Sequence, residues 1–141
     1  MRTNYLGSVW VTRAFLPGLG QGSHIVNIVS VAGEVAYGPY SASKHAQLAF
    51  SRAISIELAP RGISVHTIKP GFVETPGFPQ RNRGLFVSRL AVDPPFVVTR
   101  ILGAIEHDRR ELTVPRWYRV AALAQAAMPA AFTRLRQTFR R

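Results

Sequence analysis

Two short runs of β-branched residues, separated by one long helical segment, constrain the fold of this 141-residue chain more than any other feature. The first run covers residues 24–30 and the second covers residues 63–69. Between them, residues 39–58 carry apolar side chains at helical spacing, and this segment ends at a proline- and glycine-containing turn. Two strands that are joined by a single long helix lie parallel in a sheet. The sequence therefore predicts an α/β fold that is built on a parallel sheet.

The remaining segments extend this pattern along the chain. Helical spacing or a β-branched run marks four further elements, which we expect as helices over residues 4–16, 85–90 and 94–107 and a strand over residues 112–115. The strands are nearly continuous apolar runs, as is typical of a sheet that helices cover on both faces. From residue 117 onward the pattern is helical, with an interruption at Pro129. We therefore divide the chain into a sheet-containing unit, residues 1–116, and a basic amphipathic C-terminal helix, residues 117–141.

The composition excludes several kinds of protein and of chemistry. The chain has no cysteine, which rules out disulfides, thiolate nucleophiles and cysteine-based zinc sites. Its four histidines fit no metal-ligand spacing, so we expect no metal site. No apolar run approaches the ~20 residues that a membrane span needs. Hydrophobic residues make up 47% of the chain and charged residues 18%, which is typical of a folded domain. We therefore expect a cytoplasmic protein.

The net charge of +11 is weighted towards the C-terminus. Of the 16 arginines, eight lie from Arg109 onward. A basic chain can bind nucleic acid, but no recognition motif accompanies this charge, so we expect no nucleic-acid partner. Two interpretations of the C-terminal helix stay open: it packs on the domain, or it contacts a membrane surface through an apolar face that arginines flank. The apolar residues of that face are Trp117, Val120, Ala121, Ala124, Met128, Ala131, Phe132, Leu135 and Phe139.

A tyrosine and a lysine lie one helical turn apart near the start of the helix over residues 39–58. Because Tyr40 and Lys44 are four residues apart, they share one face of that helix. A lysine cation beside a phenol favours the phenolate form. Such a pair can exchange a proton with the oxygen of an alcohol or a carbonyl compound. The alternative is an ordinary, partly exposed helix face, since a tyrosine and a lysine at this spacing are common.

Polar and turn-forming residues follow both predicted strands at the edge where ligands bind in open α/β sheets. Ser30 ends the first strand, and Pro70-Gly71 ends the second. With the helix motif, and in this order, these segments resemble the short-chain dehydrogenase/reductase family. The resemblance is carried by Asn4-x-x-Gly7, Asn27-Ile28-Val29-Ser30-Val31-Ala32-Gly33, Tyr40-Ser41-Ala42-Ser43-Lys44 and Pro70-Gly71-x-Val73-x-Thr75. It implies part of a Rossmann-like, doubly wound parallel sheet, namely its last three strands with flanking helices in a three-layer αβα arrangement.

The resemblance also implies a function, which is hydride transfer between NAD or NADP and an alcohol or carbonyl substrate. Tyr40 corresponds to the general acid/base of the family. Lys44 corresponds to the lysine that assists the tyrosine and holds the nicotinamide ribose, and Ser30 to the serine that binds the substrate oxygen. Asn4 corresponds to an asparagine that supports a water-mediated proton relay to the lysine. The segment that cradles the nicotinamide carboxamide corresponds to Pro70, Gly71, Val73 and Thr75.

The resemblance carries two further expectations about partners. In this family the two long helices commonly form the dimer contact, so we expect a homo-oligomer through residues 4–16 and 39–58. The loop over residues 76–92 contains apolar side chains that predict an apolar substrate pocket. These side chains are Phe78, Leu85, Phe86 and Leu90.

Two departures from the family pattern qualify these expectations. Ser30 and Tyr40 are ten residues apart, which is closer than the family pattern, so the connector over residues 34–39 is short. The glycine-rich turn that holds the pyrophosphate does not occur, and Gly18-x-Gly20-x-Gly22 follows a helix and precedes a strand, which is the wrong context. We therefore expect the catalytic half of a longer domain, which binds dinucleotide weakly or not at all by itself. The alternative is a non-catalytic truncated homologue that acts by protein association or at a membrane surface.

Overall fold

The structure is a computed structural model that describes residues 1–35 and 38–138, apart from the side chains of residues 83, 86, 133 and 135–138. One turn of π-helix, Arg2–Leu6, leads into the first α-helix. The helices are α1 (Gly7–Phe15), α2 (Gly38–Leu58), α3 (Leu85–Leu90), α4 (Pro94–Glu106), α5 (Arg119–Ala127) and α6 (Pro129–Thr138). The strands are β1 (His24–Ile28), β2 (Ser64–Pro70) and β3 (Glu111–Val114). Short 3₁₀ turns include Leu16–Gly18, Val31–Gly33, Ala59–Arg61 and Arg116–Tyr118.

In the described residues, the strands form one parallel sheet in the order β1-β2-β3. The register pairs Ile28 with Ile68 on one side of β2, and Lys69 with Thr113 on the other. Helix α2 provides the crossover from β1 to β2, and α4 provides the crossover from β2 to β3. The α/β class and the partial Rossmann-like sheet with its flanking helices are therefore confirmed.

The two faces of the sheet are packed in different ways. On the α4 side, Ile68 and Val114 are buried against Val97 and Ala104 of the helix, and the contact is apolar. On the other face, the end of α2 is also apolar. There Ile54 packs with apolar residues of β2 and of the segment that leads into β2. The strands alternate their side chains between these faces, as every pleated strand must. Helices thus cover both faces, as the apolar runs predicted.

The α2-facing side also carries a buried polar row that the apolar runs did not predict. Asn27 Nδ2 of β1 donates to Ser51 Oγ of α2 at 3.0 Å. Ser51 Oγ lies 2.7 Å from Thr67 Oγ1 of β2, so the three side chains form a continuous hydrogen-bonded row. All three residues are buried. Their mutual hydrogen bonds offset the cost of removing these polar groups from water.

A cluster of four charges continues this row towards β3. Lys69 of β2 is 4% exposed, and its Nζ donates to carboxylate oxygens of Glu34, at 2.6 Å, and of Glu111. Arg52 of α2 donates two hydrogen bonds to Glu111, at 2.9 and 2.7 Å. These hydrogen bonds, first those from Arg52 and then that from Lys69, hold the pKa of Glu111 at about 2, well below its usual 4.5. The cluster therefore ties the edge strand β3 to both β2 and α2.

None of the helices in the described residues is both long enough and apolar enough to cross a membrane. Helix α6 begins at Pro129, where the sequence predicted an interruption. Proline is tolerated in the first turn of a helix because the N–H that it lacks would have no intrahelical partner there.

The charge cluster predicts a specific loss of stability in acid. A carboxylate whose pKa is depressed by folding stabilises the native state above its unfolded pKa, and this contribution is lost as the pH falls through the folded pKa. For Glu111 this window lies between pH 4.5 and about 2. We expect Glu111→Gln to make the fall of the unfolding free energy in this window less steep, as measured by urea denaturation at a series of pH values. Glu57→Gln, on the exposed side of α2, is the control; equal slopes for both variants would contradict the prediction.

Candidate active site

The site lies where β1 and β2 end and α2 begins. Ser30 follows β1, and its Oγ accepts a hydrogen bond from the Ala32 N–H at 3.1 Å, which starts the turn Val31–Gly33. The same hydroxyl donates to the carbonyl of Pro70, the last residue of β2, at 3.4 Å. Ser30 therefore caps a turn and also bridges the carboxyl ends of the two strands. Its hydroxyl lies at the edge where the sequence predicted it.

The start of α2 is anchored on this turn. The hydroxyl of Ser41, within the tyrosine–lysine motif, lies between the carbonyls of Ala32 and Val35, which share its one proton as acceptors. His45 Nδ1 lies 2.7 Å from the carbonyl of Gly33. A Cβ atom on Gly33 would lie 2.8 Å from the carbonyl oxygen of Lys44, so only glycine allows the turn to approach the helix this closely. The turn after β1 thus sets the position of the first helical turns of α2.

Tyr40 and Lys44 share the start of α2 but lie in different environments. The Tyr40 side chain is 53% exposed, and its hydroxyl makes no hydrogen bond with the residues that the structure describes. Lys44 is 9% exposed, and its Nζ donates to the Ile28 carbonyl at 3.1 Å and to Gln47 Oε1 at 2.8 Å. Burial lowers the pKa of Lys44. The described contacts include no hydrogen bond between the side chains of Tyr40 and Lys44, although the two residues share a helix face.

Asn4 contacts the motif through its neighbouring serine. Asn4 Nδ2 donates to Ser43 Oγ at 3.0 Å, and Ser43 Oγ donates to the Tyr40 carbonyl at 2.7 Å. The carbonyl of Asn4 accepts a hydrogen bond from Ser8 Oγ at 2.9 Å. Asn4 itself lies in the π-helical turn at the start of the chain, a type of turn that is frequent at functional sites. The structure therefore brings Asn4 to the motif, although not into direct contact with Lys44.

Two residues that the motif did not include complete a ring of hydrogen bonds. Gln47 Nε2 donates to Ser8 Oγ at 2.9 Å, while Gln47 Oε1 accepts from Lys44. The path runs from Lys44 through Gln47, Ser8, Asn4 and Ser43 to the carbonyl of Tyr40. It closes into a ring along α2, because Tyr40 and Lys44 are one helical turn apart. Helical spacing is the one signal that could have found these residues, since Gln47 lies three residues after Lys44 and Ser8 four after Asn4.

The segment after β2 carries backbone groups without partners. Val73 lies opposite Val92 in an isolated parallel β-bridge. The two hydrogen bonds of this bridge are made by the residues before and after Val73. Glu74 N–H donates to the Val92 carbonyl at 2.9 Å, and Val92 N–H donates to the Phe72 carbonyl at 3.0 Å. The N–H and carbonyl of Val73 itself make no hydrogen bond within the described part of the chain. A donor and an acceptor on one residue match the needs of a primary carboxamide.

A tyrosine from the C-terminal part of the chain supports this segment. The Tyr118 ring packs over Gly71, where an added Cβ atom would lie 2.0 Å from the ring. The Tyr118 hydroxyl accepts a hydrogen bond from the Phe72 N–H at 3.2 Å and donates to the Leu90 carbonyl at 3.3 Å. Burial raises the pKa of Tyr118. The sequence placed Tyr118 in the C-terminal helix and assigned it no role, because a contact across 46 residues leaves no local pattern.

The loop that was expected to form an apolar pocket is only partly described. Phe78 is 54% exposed and Leu85 is 80% exposed, while Leu90 is partly buried. The side chain of Phe86 lies outside the described residues, as do residues 36 and 37 of the short connector. The carbonyl of Thr75 accepts a hydrogen bond from the Phe78 N–H at 3.1 Å, which folds the start of the loop into a turn.

The fold and its polar edge define a Rossmann-like α/β protein. The family model of short chain dehydrogenases matches residues 1–85. Dehydrogenase/reductase SDR family member 7C-B of Danio rerio is 31% identical over 136 residues, which cover 87% of this chain and 43% of that protein. Retinol dehydrogenase 5 of Mus musculus is 42% identical over 79 residues, which cover 54% of this chain and 25% of that protein.

A solved structure agrees with these matches. A short chain dehydrogenase from Burkholderia cenocepacia J2315 in complex with NADP is 29% identical, and it superimposes with a TM-score of 0.75 over 92% of this chain and 54% of that one. The chain belongs to the short-chain dehydrogenase/reductase family, a family of oxidoreductases. It spans less than half the length of the curated relatives that it matches.

The close approach of Tyr118 predicts that Gly71 tolerates no side chain. We expect Gly71→Ala to lower the unfolding free energy by roughly 1–3 kcal/mol, because the ring must shift to admit the methyl group. Thermal and urea denaturation measure the change. Gly77→Ala is the matched control, since an added Cβ atom there meets nothing within 4 Å. The prediction fails if the two variants are equally stable.

Proposed function

We propose that this chain carries the catalytic residues of an NAD(P)-dependent oxidoreductase, which transfers a hydride between nicotinamide and an apolar alcohol or carbonyl substrate. The observation that carries the proposal is the arrangement at the start of α2. There an exposed phenol, Tyr40, and a buried ammonium, Lys44, lie one turn apart beside the ends of β1 and β2. This edge is where open α/β sheets bind ligands. The name of the similar retinol dehydrogenase, whose substrate is an apolar alcohol, supports the apolar class.

The residues present fit the nicotinamide half of either cofactor. Lys44 has three N–H donors, of which the described residues occupy two, so we assign the third to the ribose hydroxyls. The N–H and carbonyl of Val73, which have no hydrogen-bond partner among the described residues, suit the nicotinamide carboxamide, within the segment formed by Pro70, Gly71, Val73 and Thr75. The similar dehydrogenase from Burkholderia binds NADP. The choice between NAD and NADP is left open by these residues, because none of them would touch the adenosine half.

In the proposed reaction, one hydride and one proton are transferred. When bound, the nicotinamide supplies the hydride that adds to the carbonyl carbon, or accepts it in the reverse direction. As the carbon–hydrogen bond forms, negative charge develops on the substrate oxygen, and Tyr40 donates its hydroxyl proton to that oxygen. The phenolate that remains on Tyr40 is favoured by the Lys44 cation one turn away. In alcohol oxidation the same proton returns to Tyr40.

Ser30 and Asn4 have supporting roles in this proposal. The hydrogen bond from Ser30 to the Pro70 carbonyl is long, at 3.4 Å, so the hydroxyl loses little when it turns to the substrate oxygen. The carbonyl of Asn4, which accepts a hydrogen bond from Ser8 Oγ, is the group to which a water molecule of the proposed relay would bond. Such a water would continue the proposed relay from Lys44 towards solvent.

Replacing the phenol tests the function directly. We expect Tyr40→Phe to reduce turnover by ~10²-fold or more, because the proton donor is lost, while the binding of the nicotinamide changes little. The assay follows the oxidation of reduced nicotinamide mononucleotide at saturation with an apolar ketone, since the proposed residues reach only this half of the cofactor.

Tyr5→Phe is the matched control, because the Tyr5 ring packs edge-on against Phe50 and has no part in the proposed proton transfer. It should keep the wild-type rate. Wild-type turnover in Tyr40→Phe, or no turnover in the wild-type chain at saturation, would refute the assignment.

The expected homo-oligomer remains part of the proposal. On α1, Trp10, Val11 and Phe15 are exposed, and on α2 Ile56 is exposed. These apolar side chains lie on the two helices that the family resemblance assigns to the dimer contact, which supports association with a second copy.

A second candidate function is contact with an anionic membrane surface. On α5, Val120 is 69% exposed and Leu123 is 61% exposed, and the exposed Arg116 and Arg119 flank them. An apolar helix face with flanking arginines binds such surfaces through buried apolar area and charge. Leu135 and Phe139 were also expected on this apolar face, but their side chains lie outside those that the structure describes.

We expect the double variant Val120→Asp, Leu123→Asp to lose most of the binding that the wild-type chain shows to phosphatidylglycerol-containing vesicles in co-sedimentation. Val11→Asp on α1 is the control for an added carboxylate at an exposed valine. Point variants are preferable to deleting the C-terminal residues, because a deletion also removes Tyr118 from Gly71. Binding that is unchanged in the double variant, or absent in the wild type, would reject the membrane function.

A further inference from the structure

The side-chain amide of Gln47 is held in one orientation between two helices. Gln47 is 6% exposed. The Lys44 ammonium can only donate, so the atom that faces it at 2.8 Å is the amide oxygen. The amide nitrogen then faces Ser8 Oγ at 2.9 Å, and Ser8 can accept because its own proton goes to the Asn4 carbonyl. Each of these contacts pairs one donor with one acceptor, which fixes the orientation of the amide.

The Lys44 ammonium depends on these neutral acceptors. Burial penalises the charged form of a lysine, and hydrogen bonds to that form favour it. In the described part of the chain no carboxylate contacts Lys44, and its acceptors are the Ile28 carbonyl and Gln47 Oε1. Of the other ionisable side chains on α2 and β1, Tyr40 shares the helix face but makes no described hydrogen bond with Lys44, His45 faces the Gly33 carbonyl, and His24 pairs with His66. Among the described residues, Gln47 is therefore the one side chain that accepts a hydrogen bond from this ammonium.

We propose that Gln47 is a positioning residue, which keeps Lys44 charged inside the protein and directs towards the cofactor edge the N–H that no described residue binds. This inference rests on the proposed function, since it gives Lys44 the role assigned to it there. Gln47 also joins α2 to α1 through its contact with Ser8. If Gln47 had only this structural role, replacing it would not change the pKa of Lys44, whereas the positioning role predicts that it does.

The lysine content of the chain allows a direct measurement. Lys44 and Lys69 are its two lysines, so a protein labelled with ¹³Cε-lysine gives two signals. The Lys44→Arg variant assigns them. Titration of each signal by NMR reports each ammonium separately, and Lys69, bound to Glu34 and Glu111, serves as the internal reference. The measurement uses the 141-residue chain and needs neither cofactor nor turnover.

Two substitutions at Gln47 should shift the pKa of Lys44 in opposite directions. Gln47→Leu removes the acceptor, and we expect the pKa of Lys44 to fall by roughly one to two units. Gln47→Glu places a carboxylate at the same position, and we expect the pKa of Lys44 to rise. Ser8→Ala frees the amide to turn, and we expect a smaller fall. Gln21→Leu, at an exposed turn, is the control and should change neither lysine.

Each outcome decides the inference. Opposite shifts of the Lys44 signal, with the Lys69 signal unchanged, support it. A Lys44 signal that stays in place in both Gln47 variants overturns it, even if urea denaturation shows lower stability. If Gln47→Leu does not fold, the direction of the shift in Gln47→Glu and in Ser8→Ala decides. The Tyr40→Phe assay is independent of all of these, so failure of the inference and failure of the proposed function are distinguishable.

Discussion

The burial of the Lys44 ammonium is the constraint on which the rest of the site depends. A charged group can leave water only where acceptors replace its hydration. One acceptor is the Ile28 carbonyl at the last residue of β1, and the other is Gln47 on the same helix. Helix α2 must therefore lie with its first turns against the end of β1. The contacts of Ser41 and His45 with the turn after Ser30 hold it there.

The pairing of buried polar groups with hydrogen-bond partners extends along the α2 face of the sheet. Near the site, the buried side chains of β1 and β2 that face α2 are polar, and each finds a partner on the helix or on a neighbouring strand. Further on, Lys69 is neutralised by two glutamates, one from the turn and one from β3. The α4 face contains an apolar cluster, and a second one lies at the end of α2 away from the site. The polar part of the α2 face thus positions functional groups, while the two apolar clusters supply the burial that stabilises the sheet.

Tyr118 joins the C-terminal part of the chain to the segment that we propose for the nicotinamide. Its ring covers Gly71, and its hydroxyl bonds both the start of that segment and the end of α3. The shape of the cofactor edge therefore depends on residues that lie more than 40 positions away in the chain. This dependence also explains why the glycine at position 71 is needed for packing as well as for a turn.

The local patterns of the sequence determined the elements, the parallel sheet and the placement of Tyr40, Lys44 and Ser30 near one edge, and the family resemblance added Asn4. Those inferences succeed because helical and strand periodicities, and the crossover that they imply, depend on neighbours in the chain. Only the tertiary structure decided which side chains meet. The ring through Ser8 and Gln47, the polar row and the Tyr118 contact all join residues that are distant in sequence. Their pairing is set by how α1, α2 and the C-terminal part pack, and no local periodicity encodes it.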